Sequence, residues 1–205
     1  QHPEFETFIG SVHYEAGLSC ADCHMPYIMV GGEKISSHWW TSPLKHINES
    51  CMTCHREDAE WLKERVFYTQ DKVADTMARV GTLNVEAIEA IAAAEAAGAN
   101  QDVLNEARQL QRKAQFYIDW VGAENSMGFH ADQEAARVLG LAINYARLGL
   151  AALYAPTLPP TEPPLLPPPP QTVTPPGGGR GLLFQQWAAP EPDMRRPAQR
   201  DVTSR

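Results

Sequence analysis

From residue 58 onward the apolar positions recur with a helical period. Leu62, Val66, Val73, Met77 and Val80 fall on one face, and Ile88 and Ile91 carry the signal through an alanine-rich stretch to Gly98. Gly81 stands inside this run as a point of kink or interruption. A second helix is predicted after Asn100 as its N-cap, with Leu104, Ala107, Leu110, Ala114, Tyr117 and Val121 at helical spacing, fading near Gly128. A third is predicted from about Asp132 to Tyr154. Hardly any segment alternates with period two, so a mainly α fold with little or no sheet is expected.

The flanking segments carry other patterns. Residues 1–57 show no long periodic run and are punctuated by Pro3, Pro26, Gly31, Gly32 and Pro43. They also hold six of the seven histidines and all four cysteines, which marks a loop-rich cofactor segment. Beyond Ala155 lie 14 of the 17 prolines, including the run Pro167 to Pro170, then Gly177, Gly178 and Gly179 and five arginines. Such a stretch cannot bury enough apolar surface to fold. The chain therefore divides into a cofactor segment, 1–57, a long-helix segment of the same domain, 58–154, and a disordered tail, 155–205.

Composition narrows the function. At 205 residues and 43% hydrophobic, the chain has material for one ordinary core and an appendage. A net charge of -8 and a pI near 5.3 exclude a general nucleic-acid binder, which needs basic surface to displace counterions from phosphates. No transmembrane segment is expected, because the most apolar stretch, Leu139 to Tyr154, is broken by Asn144 and Arg147. The chain opens at Gln1 without the charged start and apolar stretch of a secretory signal, so a fragment or a processed chain is expected.

The cysteines carry the chemistry. Cys20-Ala21-Asp22-Cys23-His24 and Cys51-Met52-Thr53-Cys54-His55 are both CxxCH motifs. Two thiols about one turn apart form thioethers to the two vinyl groups of one haem, and the next residue, His, reaches its iron. Two covalently attached haem c groups are thus predicted. The rival is tetrahedral zinc held by four thiolates. Here 27 residues separate the two pairs, beyond the spacing usual for a zinc ribbon, and a ribbon has no need of the two histidines. Bacterial thioether attachment takes place outside the cytoplasm, which predicts a periplasmic location. His2, His13, His38, His46 and His130 remain as candidate second axial ligands. Two haems use two at most, so the excess points to more iron nearby. Bis-histidine ligation leaves no open position and makes a haem an electron relay.

Several blocks now line up with one family: QHPEFET over residues 1–7, CADCHMP over 20–26, Ser36-Ser37-His38, QRKAQ over 111–115 and AENSMGFH over 123–130. Over residues 1–154 the sequence resembles the C-terminal half of the ammonia-forming cytochrome c nitrite reductases, pentahaem cytochromes c552 that reduce nitrite to ammonium. The resemblance implies a multihaem cytochrome c fold, a loop-rich haem-binding segment followed by long helices. It implies that His24 and His130 ligate the haem on Cys20 and Cys23, and that His55 and His13 ligate the haem on Cys51 and Cys54. His38 would be distal ligand to a haem attached elsewhere, His2 the catalytic active-site histidine, and Gln1 a ligand of a calcium ion beside that site. These roles suit the side chains: an imidazole can give hydrogen bonds or protons to an anionic nitrogen oxide, and an amide oxygen suits a hard cation. His46 matches no ligand and is read as a surface residue.

The family's catalytic haem sits on a CxxCK motif, with an arginine and a tyrosine completing the pocket, and none of these can be assigned here. The other calcium ligands are missing too, so the chain alone is expected not to reduce nitrite. The resemblance further implies nitrite as substrate, a quinol-linked cytochrome as electron donor, and a homodimer through the long helices, whose Ala92 to Ala94 permit close approach. Two other readings of the same residues stay open: a free-standing dihaem electron-transfer cytochrome, and a related multihaem oxidoreductase acting on hydroxylamine or oxyanions.

Overall fold

The computed structural model describes residues 2–154. Gln1, the expected calcium ligand, and the tail 155–205 lie outside the described residues. Three short helices come first, α1 (Glu4–Phe8), α2 (Val12–Glu15) and α3 (Cys20–His24), then a hairpin of β1 (Tyr27–Val30) and β2 (Glu33–Ser36). After two 3-10 turns, Pro43–Lys45 and Cys51–Thr53, follow the long helices α4 (Ala59–Ala96), α5 (Gln101–Ala123) and α6 (Asp132–Tyr154).

α4 begins where the Asp58 carboxylate accepts a hydrogen bond from the Trp61 amide at 2.9 Å. It continues unbroken for 38 residues, and Gly81 does not interrupt it. Its buried positions Val66, Val73, Val80 and Ala87 recur every seven residues, a spacing that keeps one seam turned toward the other helices. This corrects the expected face at one point. Ile88 is 46% exposed, and the weaker apolar residue Ala87 takes the buried place because it continues the seven-residue step from Val80. Asn84 is also buried there, donating to Gln115 Oε1 at 2.7 Å and accepting from Gln111 Nε2 at 3.3 Å. Gly98, at φ 78°, closes α4: the Ala99 amide donates to Ala94 O and the Gly98 amide to Glu95 O.

α5 is capped by Asn100, whose Oδ1 accepts from the Asp102 amide at 2.7 Å. It buries Leu104, Ala107, Leu110, Ala114 and Val121, while Tyr117 stacks on Tyr145 with ring centroids 5.8 Å apart. The helix stops at Ala123, short of the expected Gly128, because Glu124 turns to extended backbone, at φ -79° and ψ 116°. α6 lies against both neighbours. It comes so near α5 that a Cβ on Gly149 would stand 3.4 Å from the Ala107 carbonyl oxygen. By length and composition alone α6 could cross a membrane, contrary to the expectation drawn from Asn144 and Arg147. In the fold it is a core helix, with Leu139, Ala142 and Ala146 fully buried. Fully burying a leucine such as Leu104 or Leu139 contributes about 1.5–3 kcal/mol.

Residues 2–57 are built differently. Only Pro3, Thr7, Ser11, Pro26 and Ser50 are buried there, and no large apolar side chain among them is. Phe5, Tyr27, Met29, Trp39 and Trp40 all stand exposed. The hairpin is the one sheet among the described residues, in keeping with the expectation of little or no sheet. Gly31 and Gly32, at φ 59° and 90°, form the two-residue turn that lets Val30 pair with Glu33 and Tyr27 with Ser36.

Candidate haem-binding site

Local hydrogen bonding shapes the first CxxCH. The Asp22 carboxylate accepts from both the amide and the hydroxyl of Ser19, each at 2.7 Å, which fixes the first turn of α3. Cys20 and Cys23 therefore lie three residues apart on one helix face. The hairpin then returns the chain to α3: the Ser37 amide donates to Pro26 O, and Ser36 Oγ to Met25 O. This return sets Trp40 flat on the His24 ring, with centroids 4.9 Å apart and planes 9° from parallel. It also puts the Thr41 carbonyl 2.9 Å from His24 Nδ1. At the second motif the Thr53 hydroxyl donates to Ser50 O and the His55 amide to Cys51 O.

The fold brings the predicted ligands together in two pairs. His24 and His130 have ring centroids 6.3 Å apart, and His13 and His55 are likewise 6.3 Å apart. A metal–imidazole bond is about 2.0 Å long and the ring centroid lies roughly 1.1 Å behind the nitrogen, so two imidazoles on opposite sides of one metal ion have centroids about 6.2 Å apart. Each pair joins one CxxCH histidine to a partner distant in sequence. Burial, with His55 and His130 nearby, pushes His13 below its ordinary value, which favours the neutral imidazole a metal requires.

Four of these histidines engage Nδ1 as well. His130 Nδ1 is 2.6 Å from Glu124 Oε1, His38 Nδ1 is 3.0 Å from Ser36 O, and His2 Nδ1 is 3.2 Å from Ala123 O. With His24 on Thr41, four of the predicted histidines hold Nδ1 on an oxygen and leave Nε2 for chemistry, the usual support of a ligating imidazole. His55 Nδ1 lies 3.8 Å from a Glu57 carboxylate oxygen. His46, expected at the surface, is half-buried beside Trp39, with ring centroids 6.4 Å apart.

Glu124 is 3% exposed and was not visible as a site residue in the sequence. Burial pushes its carboxyl up. Hydrogen bonds from the side chains of His130 and Ser126 and the amides of Gly128 and Ser126 outweigh burial and hold it at about 2. The same loop anchors the N-terminal segment, since the Asn125 amide donates to Glu4 Oε1 at 3.2 Å, and Gln70 of α4 donates to Ser126 O at 3.0 Å. The only forward signal for this hub was its place in the AENSMGFH block.

Haem fits these residues. Four free cysteines stand in two attachment pairs, two imidazole pairs leave room for one iron each, and the surrounding segment has no apolar core of its own. Zinc fits less well, since the described residues contain no cluster of three or more metal-ligating side chains. Burial and the neighbouring Cys51, Asp22, Cys54 and Cys20 push the half-buried Cys23 thiol up to about 11. The contribution of Cys51 and Cys54 shows that the two motifs are neighbours.

Comparison with known proteins agrees. The family model described as cytochrome c552 matches residues 1–160. Cytochrome c nitrite reductase subunit NrfA of Nitratidesulfovibrio vulgaris is 43% identical over 148 residues, 68% of this chain and 28% of that protein. Cytochrome c-552 of Parabacteroides distasonis is 38% identical over 158 residues, 76% of this chain and 32% of that protein. Among solved structures, the cytochrome c nitrite reductase of Desulfovibrio desulfuricans, described as a catalytic subunit with two calcium sites, superposes with a TM-score of 0.69 at 40% identity. That match covers 75% of this chain and 33% of the other. The chain spans about a third of the length of these relatives. With residues 1–160 matched and the fold shared, this chain belongs to the cytochrome c552 family.

Proposed function

We propose that this chain forms the electron-relay part of a periplasmic, ammonia-forming nitrite reductase. The observation that carries the proposal is the pair of 6.3 Å imidazole gaps, each beside its own CxxCH. Cys20 and Cys23 anchor one haem, with His24 and His130 as its axial ligands. Cys51 and Cys54 anchor the second, with His55 and His13. Bound haem supplies an iron that takes up and gives back one electron at a time. By filling both axial positions, the four histidines keep substrate away from these irons and confine them to relay. His38, its Nδ1 held by Ser36, offers Nε2 to a further haem outside this chain. His2, 68% exposed at its side chain and held by Ala123, offers its free ring nitrogen for hydrogen bonding or proton delivery to nitrite.

Gln1 is assigned to calcium beside that site. A quinol-linked cytochrome is the donor, and two copies pair through the long helices. α4 supports that pairing, for it exposes Val85, Ile88, Ala92 and Ala93. The test is the chain matured with haem and examined by mass spectrometry, absorption and a reduced-dye assay. Two haem masses on the cysteine peptides, low-spin spectra and no nitrite-dependent dye oxidation are expected. Nitrite turnover by the chain alone would overturn the relay assignment.

A further inference from the structure

We propose that Trp40 is a positioning residue that holds the His24 imidazole crossed against that of His130, so that the haem on Cys20 and Cys23 keeps its two axial rings at a steep angle. The inference rests on the axial pairing proposed above. The two ring planes stand 64° apart. An iron bound to both Nε2 atoms lies in both planes, so this angle is the angle at which the ligands cross. Nothing in a CxxCH motif sets it, because an imidazole turns easily about its bond to iron.

The fold fixes each ring from a different side. The indole of Trp40 lies flat on His24, with centroids 4.9 Å apart and planes 9° from parallel. An N–H bond lies in the plane of its ring, so donation from His24 Nδ1 to the Thr41 carbonyl at 2.9 Å holds the edge while the indole holds the face. His130 is held elsewhere, with Nδ1 on Glu124 Oε1 at 2.6 Å, its amide on Ser126 Oγ at 2.8 Å, and the Phe8 ring edge-on to it with planes 76° apart. Burial alone does not account for an indole at position 40, which is 59% exposed. The adjacent Trp39, 75% exposed, shows the contrast, for it meets His46 at a tilt of 57° instead of stacking.

Crossing has an electronic consequence. The π system of each imidazole raises one of the two iron dπ orbitals that reach toward the haem edge. Parallel rings raise the same orbital and confine the ferric hole to one pair of pyrroles. Crossed rings raise one orbital each, leave the two close in energy, and open the hole to the whole haem edge. That suits a relay which takes up its electron on one side and gives it away on another.

The test is the low-temperature electron paramagnetic resonance spectrum of the full haem-matured chain carrying Cys51→Ser and Cys54→Ser, with one ferric haem, before and after Trp40→Leu or Trp40→Phe. Close-lying dπ orbitals give a low-spin signal with one strongly shifted low-field feature, whereas parallel rings give three well-separated g values. With Trp40 in place the shifted low-field feature is expected. Trp40→Leu should stay low-spin while that feature broadens and moves to a smaller g value. Trp40→Phe keeps a flat face and should hold the original position. Trp40→Met removes the flat face but keeps apolar bulk, and it carries the comparison if the leucine variant takes up no haem. Three well-separated g values with Trp40 in place would overturn the crossing and leave the axial pairing intact. A low-field feature unmoved by leucine and methionine, or moved as far by phenylalanine, would overturn the role of Trp40. A high-spin haem with Trp40 in place would overturn the pairing itself, and this proposal with it.

Discussion

Gly128→Ala probes how tightly the loop bearing His130 is clamped against α4. Gly128 has φ 89°, and a Cβ built on it would stand 2.5 Å from Val73 Cγ2 and 3.0 Å from both Cβ and Cγ1 of the same residue. Val73 cannot swing aside, being β-branched within a helix and 5% exposed in a cluster with Val80, Val121 and Val138. Forcing an L-residue into the left-handed region costs about 1–2 kcal/mol. Overpacking a close-packed site costs about 1–3 kcal/mol, so the substitution should destabilise by roughly 2–5 kcal/mol. Urea unfolding of the haem-matured chain measures it, with Val73→Ala and the double variant completing a cycle. The double variant recovers the clash and retains the backbone strain, so it should be about 1–3 kcal/mol more stable than the sum of the singles. A cost for Gly128→Ala below about 1 kcal/mol, or strict additivity with Val73→Ala, would refute this account of the clamp.

Three further outcomes follow from the same geometry. A chain carrying Cys51→Ser and Cys54→Ser should keep one haem mass, on the Cys20–His24 peptide, and half the haem absorbance per chain. Asn84→Ala leaves the amides of Gln111 and Gln115 without their buried partner and should cost about 1–3 kcal/mol in denaturant unfolding, with spectra unchanged. Ile88→Glu places a charge on the exposed face of α4 and should convert a sedimenting dimer to monomer, whereas a dimer that persists would place the interface elsewhere.

The helices were legible because their cores are made by side chains of the chain itself. Leu104 to Val121 fall where the 3.6-residue period puts them, and both Asp58 and Asn100 act at the starts of their helices. Ile88 was misplaced because its hydrophobicity is stronger than that of Ala87, although the seven-residue step favours the alanine. Asn84 gave no apolar signal, and its partners lie one helix away. In residues 2–57 the motif spelled out the chemistry while periodicity was silent, since a segment that packs around a prosthetic group has no reason to repeat. The supports of the site, Thr41, Trp40 and Glu124, depend on long-range returns of the chain that spacing alone does not encode. Even the hairpin had its signal in Gly31-Gly32, although exposed strands this short gave no clear alternation.

The central claim is that each haem shares its iron between a CxxCH histidine and a histidine far along the chain. Its most direct test is the electron paramagnetic resonance spectrum of the haem-matured chain with Cys51→Ser and Cys54→Ser, in which a single haem remains, after adding either His130→Ala or His13→Ala. The account predicts that His130→Ala converts this haem from low to high spin and that His13→Ala leaves it low-spin. A haem that stays low-spin without His130, or loses its low-spin signal without His13, would contradict it.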